Sequence, residues 1–179
     1  MAVIHDVQPV KPVCAVTFAP KINYDDVVQR LIPLLGAVDD QSSVFAFDFT
    51  DYYLREMGAG LSKVFVGFNP LVRPIQLSAF KRATQILERQ WMTAGCRKVN
   101  LDPAYIGLSK LVVASVKDHA HRLYIGEGVY ADLQLQYRQG CFHPLPWTFA
   151  DYQTPLALTF FKDNRDQLAY RLRHEIDQL

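Results

Sequence analysis

Hydrophobic residues recur with two different periods along the first hundred residues, and each period predicts a different element. Runs that are apolar or alternate with period two predict four strands, over residues 12–19, 44–50, 62–69 and 97–101. Apolar residues spaced three or four positions apart predict amphipathic helices over 24–35 and 77–93. The resulting order, βαββαβ, is the pattern of a ferredoxin-like core.

The rest of the chain predicts an antiparallel β-meander followed by a helix, so the fold class is α+β. Strands are predicted at 111–116, 121–125, 129–137 and 141–145, with a final helix from Thr154 to about residue 178. Asp102-Pro103 has the pattern of a helix cap followed by proline at the first helical position. Ala104 favours this interpretation of Asp102-Pro103 as a capped turn. Residues 104–116 remain open between helix and strand, although the β-branched run at 111–116 favours a strand.

The two glycine turns of the meander allow its register to be derived. A loop at Gly126-Glu127-Gly128 pairs Arg122 with Asp132 and Tyr124 with Tyr130, and places His121 opposite Leu133 on the apolar face. A turn at Gln139-Gly140 pairs Gln136 with His143. One face then carries the polar and aromatic residues, namely Arg122, Tyr124, Tyr130, Asp132, Gln134, Gln136 and His143. This face is either an ordinary exposed sheet surface or the wall of a cleft.

The composition of the chain limits the number of domains, the partners and the cellular location that we expect. The 179 residues suit a single domain, 1–179, with a loose N-terminal arm at 1–11 where Pro9 discourages regular structure. Net charge is +1, which makes nucleic acid an unlikely partner. Three widely spaced cysteines predict neither disulfides nor a zinc ribbon. Without a signal peptide or a long apolar run, we expect a soluble cytoplasmic protein with no membrane partner.

Two short motifs match known signatures only in part. Residues 126–131 (GEGVYA) fit the GxGxxA dinucleotide fingerprint, but a strand rather than the required helix follows, and no P-loop motif occurs. His119 and His121 could join His143 or Asp132 as metal ligands. Solvated or core histidines are the favoured interpretation, and no metal site is predicted.

The remaining polar residues predict a candidate site between residues 98 and 145. Lys110, Lys117 and Arg122 could hold phosphate or carboxylate, with Asp102, Tyr130 and Asp132 orienting the ligand.

The leading hypothesis is binding of an anionic small molecule, a nucleotide or phosphorylated metabolite. The alternatives are a non-catalytic interaction or scaffold protein and, less favoured, an RNA-binding protein. Catalysis would need an acid or base, for which the candidates are Glu56, His121 and Asp132. Cofactor, oligomeric state and enzymatic activity stay open.

Three segments together resemble one known family: FTDYYLREMGAGL (49–61), the stretch from Arg97 to Tyr137, and PLPWTFADY (144–152). They are similar to the uncharacterised prokaryotic family called domain of unknown function 4416. The resemblance covers nearly the whole chain and implies no established activity. It implies that certain residues recur together, namely Tyr53, Glu56, Asp102, Lys110, Lys117, His121, Arg122, Tyr130, Trp147, Asp151 and Tyr152. Ala104 and Phe149 depart from the family pattern, in which Gly and Tyr are expected.

Overall fold

The computed structural model describes residue 3 and residues 5–174. Within them, the helices are α1 (Tyr24–Leu35), α2 (Leu54–Met57), α3 (Leu77–Glu88) and α4 (Pro155–His174). The strands are β1 (Lys11–Phe18), β2 (Ala37–Gln41), β3 (Phe45–Ala46), β4 (Ser62–Asn69), β5 (Met92–Thr93), β6 (Cys96–Arg97), β7 (Val99–Ile106), β8 (Lys110–Ser115), β9 (Arg122–Gly126), β10 (Val129–Arg138) and β11 (Cys141–Pro144). None of the helices in this part of the chain combines the length and apolar character needed to cross a membrane.

One antiparallel sheet organises the fold, which is a mixed α+β structure. Its strands run in the order β11-β10-β8-β7-β1-β4-β2, while β3 pairs with β4 and β9 pairs with β10. Both β9 and β11 therefore pair with the long strand β10. β5 and β6 form a separate small hairpin.

The two predicted amphipathic helices, α1 and α3, cover one face of the sheet. Val27 and Leu31 of α1 and Leu87 of α3 pack in one cluster with Val16 and Val66 of the central strands. Asn23 caps α1 as predicted, since its side chain accepts a hydrogen bond from the Asp25 N–H at 3.0 Å. The predicted bounds of α1 are confirmed, and α3 ends before a 3₁₀ turn at Arg89–Trp91.

The C-terminal helix α4 packs on part of the opposite face. Its Phe160 and Phe161 contact Phe65 of β4 in a cluster that includes Leu111 and Leu135. The predicted helix is confirmed to His174, and its predicted end near residue 178 lies outside the described residues. Because α4 covers only part of this face, the region around Lys63 and Asp102 is left for other segments to enclose.

Three predicted elements are wrong. The second strand is Ala37–Gln41, and within 44–50 only Phe45–Ala46 pairs with β4. This edge strand alternates half-buried and exposed positions, so it lacks the apolar run that marks a buried strand.

Asp102-Pro103 lies inside β7 rather than capping a helix, and residues 104–106 continue that strand. The arm ends before residue 11, because Val10 bridges Val72 and Lys11 begins β1; residues 1, 2 and 4 of the arm lie outside the described residues.

The meander confirms most of the predicted register. Arg122 pairs with Asp132, Tyr124 with Tyr130, and Gln136 with His143. The first turn is tighter than predicted, because Gly126 pairs with Val129 and leaves only Glu127 and Gly128 between them, both at positive φ.

The prediction of one continuous polar face on the meander is wrong, because two irregularities shift the pairing register along β10. A bulge between Leu133 and Leu135 buries Gln134 beside Asp132 and leaves Gln136 exposed. His121 is not in a strand, and instead of joining the apolar face it comes within 3.6 Å of Asp132.

Candidate functional site

A cleft opens where β7 and β8 separate. These neighbouring strands pair at only three positions, from Ile106–Leu111 to Ala104–Val113. Pro103, which has no N–H to donate, sits immediately beyond the last pair. Asn100 and Asp102 of β7 and Ser115 of β8 therefore face an opening instead of each other.

The cleft has a volume of about 400 Å³. The segments around Phe47–Tyr53 and Phe149–Asp151 flank it on the side that α4 leaves open. Its lining combines four aromatic side chains of residues 47–53 with charged residues of both signs, namely Lys63, Lys81, Glu88, Arg97, Asp102, Lys117, Arg122, Asp132 and Asp151. A concave site with apolar walls and a few convergent polar groups is the usual form of a small-molecule site.

Helix α3 inserts two charged side chains at the open edge of β7. Glu88 accepts a hydrogen bond from the Leu101 N–H at 2.7 Å, and Lys81 donates to the Leu101 carbonyl at 2.9 Å. These side chains thus replace the partner strand that β8 no longer provides. Lys81 also forms an ion pair with Asp102 at 2.9 Å, and the Asn100 amide donates to the other carboxylate oxygen of Asp102.

The two carboxyl groups of this network have pKa values displaced in opposite directions. Burial would raise the pKa of Asp102, but the ammonium groups of Lys81 and Lys63 outweigh burial and lower it below its ordinary value. Burial raises the pKa of Glu88, although Lys81 and the Leu101 N–H oppose the increase. Asp102 therefore supplies a fixed negative charge, whereas Glu88 holds its proton more tightly than an ordinary glutamate does.

Lys63 is enclosed by aromatic rings and one carboxylate. Its Nζ lies 2.6 Å from Asp151 Oδ2, and both side chains are about 5% exposed or less. The same Nζ lies 4.7 Å from the ring centroid of Phe47 and 5.1 Å from that of Tyr152. Burial raises the pKa of Tyr152 well above its ordinary value, so its hydroxyl stays neutral beside Lys63.

Arg122 joins the meander to the loop between β8 and β9. Its Nε donates to Asp132 Oδ2 at 2.7 Å, while its Nη1 donates to Ser115 Oγ at 2.6 Å and to the Lys117 carbonyl at 3.1 Å. Its backbone N–H donates to the His119 carbonyl at 2.9 Å. Arg122 consequently positions the loop that carries Lys117 and His119.

Lys117 lies at the rim of the cleft. Its Nζ donates to the Tyr52 hydroxyl at 2.5 Å and lies 3.9 Å from the centroid of that ring. No carboxylate of the described residues forms an ion pair with Lys117. It differs in this respect from the other cationic side chains of the lining, which all have acidic partners.

The structure brings together four of the six predicted ligand-binding residues. Asp102, Lys117, Arg122 and Asp132 line the cleft. Lys110 is exposed at the opposite end of β8, and Tyr130 packs against Tyr124 with ring centroids 5.5 Å apart; neither lines the cleft.

The three candidate catalytic residues have different surroundings. Glu56 forms an ion pair with Arg97 at 2.9 Å and does not line the cleft. Asp132 is completely buried and accepts hydrogen bonds from Arg122 and Gln134. His121 lies 3.6 Å from Asp132 and stacks on Trp147 with ring centroids 4.9 Å apart.

Sequence reasoning missed several lining residues, and three of them carried a detectable signal. Lys81 and Glu88 are seven positions apart on the buried side of α3, in the row that also contains Leu77 and Thr84. A charged residue in such a row must find a partner, so it indicates a buried polar network. Lys63 gives the same signal within the apolar strand β4.

Neither the histidines nor other donors of the described residues are clustered for a metal ion. His143 lies away from His119 and His121, where its Nε2 contacts the Arg138 carbonyl at 3.1 Å and Cys141 Sγ at 3.2 Å. No group of three or more His, Cys, Asp or Glu side chains in this part of the chain is arranged to hold a metal.

Comparison with known proteins identifies a family but no individual relative. A search of curated proteins found no match. A search of solved structures also found none. One family model, described as Domain of unknown function (DUF4416), matches residues 8–168, which include every residue of the cleft lining. The chain therefore belongs to the DUF4416 family.

Proposed function

We propose that the protein binds an anionic small molecule, a nucleotide or phosphorylated metabolite, in the cleft between β7 and β8. The observation that carries this proposal is Lys117, a cation at the rim that no carboxylate of the described residues neutralises. Because its Nζ is held by the hydroxyl and ring of Tyr52, it is positioned at the entrance before a ligand arrives. An anion would supply the opposite charge that the described residues do not.

The interior of the cleft has more hydrogen-bond donors than the surrounding groups use. An ammonium group carries three N–H donors, and Lys81 directs two of them to Leu101 and Asp102. Lys63 lines the cleft and directs one to Asp151, while its Nζ also lies near the rings of Phe47 and Tyr152. The spare donors suit the oxygen atoms of a phosphate or carboxylate, which accept several hydrogen bonds at once.

The mixed charge of the lining favours a small molecule over RNA. Carboxylates from β7, β10 and the segment after β11 are interleaved with the cations, so no continuous basic stripe crosses the cleft. A nucleic-acid backbone requires such a stripe to neutralise successive phosphates.

A second candidate function is protein interaction without catalysis. Strand β9 exposes Leu123 and Tyr124 at 73% and 63% of their surface, and β9 pairs with β10 on one side only among the described strands. Exposed apolar residues on an edge strand are a common feature of interaction sites. This candidate predicts that substitutions on β9, rather than in the cleft, abolish function.

We propose that β1, α1, β2, β4, α3 and β7 form a ferredoxin-like core, which the antiparallel order β7-β1-β4-β2 and the packing of both helices on one face support. We also propose a reducing cytoplasmic environment, which the free state of Cys14, Cys96 and Cys141 supports.

The test is a thermal-shift screen against inorganic phosphate, nucleoside phosphates and sugar phosphates. A ligand at a hundred times its dissociation constant stabilises the folded state by about 2.7 kcal/mol, which such a screen detects readily. Lys117→Ala should weaken binding, whereas the control Lys110→Ala removes an exposed lysine outside the cleft and should leave affinity unchanged. The proposal is rejected if no probe shifts the melting temperature, or if the two variants weaken binding equally.

A further inference from the structure

Three aromatic side chains form a parallel stack beside the cleft. The ring centroids of Trp147 and His121 are 4.9 Å apart with an angle of 15° between their planes. Those of His121 and His119 are 5.9 Å apart with an angle of 2°. Offset parallel stacking is a favourable arrangement of aromatic rings, and here it extends over three successive rings.

The stack ends at the cleft. Of its three members, His119 lines the cleft, whereas His121 and Trp147 do not. His119 is also the end member, because His121 lies between it and Trp147 in the series of ring contacts. One face of the His119 ring contacts His121, and the other is left without an aromatic partner among the described residues.

The rings of Trp147 and His121, and the backbone of His119, each make a contact outside the stack. The Trp147 indole N–H donates to the Leu133 carbonyl at 2.7 Å. His121 Nε2 lies 3.6 Å from the buried carboxylate of Asp132, and the His119 carbonyl accepts the Arg122 N–H at 2.9 Å. The partner groups lie on β9 and β10, so contacts within the fold position the stack without a ligand.

The end ring is close in sequence to the proposed anion contact. His119 and Lys117 lie two residues apart in the loop between β8 and β9, and both line the cleft. Tyr52 is 56% exposed and holds Lys117 at the same rim. A ligand whose anionic group contacts Lys117 therefore lies in a cleft that the aromatic ring of His119 also lines.

We propose that the ligand of this cleft carries a planar aromatic ring that stacks on His119, next to an anionic group that contacts Lys117. This inference rests on the proposed function and narrows it, because it selects ligands with an aromatic ring and rejects sugar phosphates without one. Nucleotides and aromatic carboxylates share this chemistry. The stack supplies the ring contact, while Lys117 supplies the charge contact.

The test measures dissociation constants by calorimetry for three kinds of probe. The four common nucleoside monophosphates carry ring and phosphate, ribose 5-phosphate carries the same phosphate without a base, and nicotinate carries ring and carboxylate. At least one ring-bearing probe should bind more tightly than ribose 5-phosphate, by about tenfold or more, which is the range that stacking of one base on an aromatic side chain gives.

The variants His119→Ala and His119→Phe separate stacking from general effects on the fold. His119→Ala should remove the preference for the ring-bearing probe, and His119→Phe should restore it because phenylalanine keeps a ring. His143→Ala serves as the control, since His143 lies outside the cleft. Ribose 5-phosphate should bind His119→Ala and the wild type alike.

The outcomes distinguish this inference from the proposed function. If ribose 5-phosphate binds through Lys117 but no ring-bearing probe binds more tightly, the ring contact is rejected and the anion site stands. The same holds if His119→Ala leaves the ring preference intact. If no probe binds at all, both are rejected. If a nucleotide loses affinity in His119→Ala, the aromatic ring of the ligand is a nucleobase. If nicotinate loses affinity, the ring belongs to an aromatic carboxylate.

Discussion

The Nε of Arg122 lies 2.7 Å from Oδ2 of Asp132, across strands β9 and β10, and the carboxylate is completely buried. The pair joins two parts of the candidate site. Asp132 also contacts His121 of the aromatic stack, while Arg122 holds the loop of Lys117 and His119 through Ser115. The contribution of Arg122 to the cleft is therefore to position its neighbours.

Asp132→Ala should destabilise the protein strongly. It leaves the guanidinium of Arg122, 6% exposed, without its counter-charge. Breaking a buried ion pair by removing one partner costs about 3–5 kcal/mol. Urea unfolding followed by circular dichroism measures the loss.

Arg82→Ala is the matched control for Asp132→Ala. Arg82 pairs with Glu127 at 3.1 Å, but both side chains are more than half exposed. Its loss should change the free energy of unfolding by less than about 1 kcal/mol. Equal effects of the two substitutions would contradict the structural role assigned to Asp132.

Glu88→Gln should change how stability depends on pH. Since burial raises the pKa of Glu88, the folded protein binds its proton more tightly than the unfolded chain does. The wild type therefore loses stability as pH rises from about 4.3, the ordinary pKa of glutamate, through the raised value. Glu88→Gln cannot ionise and lacks this component. Unfolding free energies measured between pH 4 and 7 should fall less steeply for the variant; parallel curves would exclude a raised pKa.

Gly67→Ala should destabilise the junction between β4 and α4. A Cβ at Gly67 would lie 2.6 Å from Oδ1 of Asn164. Asn164 is completely buried and cannot move easily, because its amide donates to Asp40 at 2.6 Å and to the Phe160 carbonyl at 2.9 Å. Overpacking of this kind costs about 1–3 kcal/mol.

Gly107→Ala is the control, because a Cβ there meets no atom closer than 3.8 Å. Thermal unfolding should separate the two variants, and similar melting temperatures would refute the predicted clash.

The cysteines should differ in reactivity toward a thiol reagent such as 5,5′-dithiobis(2-nitrobenzoate). Cys14 is completely buried, and burial raises the pKa of its thiol. Cys141 is exposed, so a reagent in solution can reach its Sγ. In the native protein Cys141 should react first, and Cys141→Ser should abolish the fast phase while Cys14→Ser retains it. A fast phase that survives in Cys141→Ser would assign the reactive thiol elsewhere.

Local elements could be predicted because their determinants lie close together in the chain. The Asn23 cap, the apolar stripe of α1 and the terminating Gly36 all act within one short segment, and the bounds Tyr24–Leu35 agree. The Arg122–Asp132 pair was predicted for a similar reason, since a tight turn fixes the register of the strands that it joins.

Elements that depend on their neighbours in the sheet could not be predicted. Strand β2 has the sequence AVDDQ and forms at the sheet edge because β4 offers unpaired backbone groups. Asp102-Pro103 has the local pattern of a helix start, but pairing of β7 with β1 from Val99 to Ile106 determines its conformation. Similarly, the bulge at Gln134 depends on β8, and it moves Gln136 to the exposed surface.

Contacts between residues that are close in the chain were sufficient to predict the helices α1, α3 and most of α4 and the hairpins of the meander, and they grouped four residues that line one cleft. The position of that cleft and the charges that enclose it depend on the assembled fold. Lys63 and Asp151 are 88 residues apart and Lys81 and Asp102 are 21 apart, and neither pair can form until the sheet and α3 have assembled. The stacking of His121 on Trp147 likewise joins separate segments. Turns and caps are stabilised by adjacent residues, whereas a buried site depends on contacts between distant ones, and the order of residues does not contain those distances.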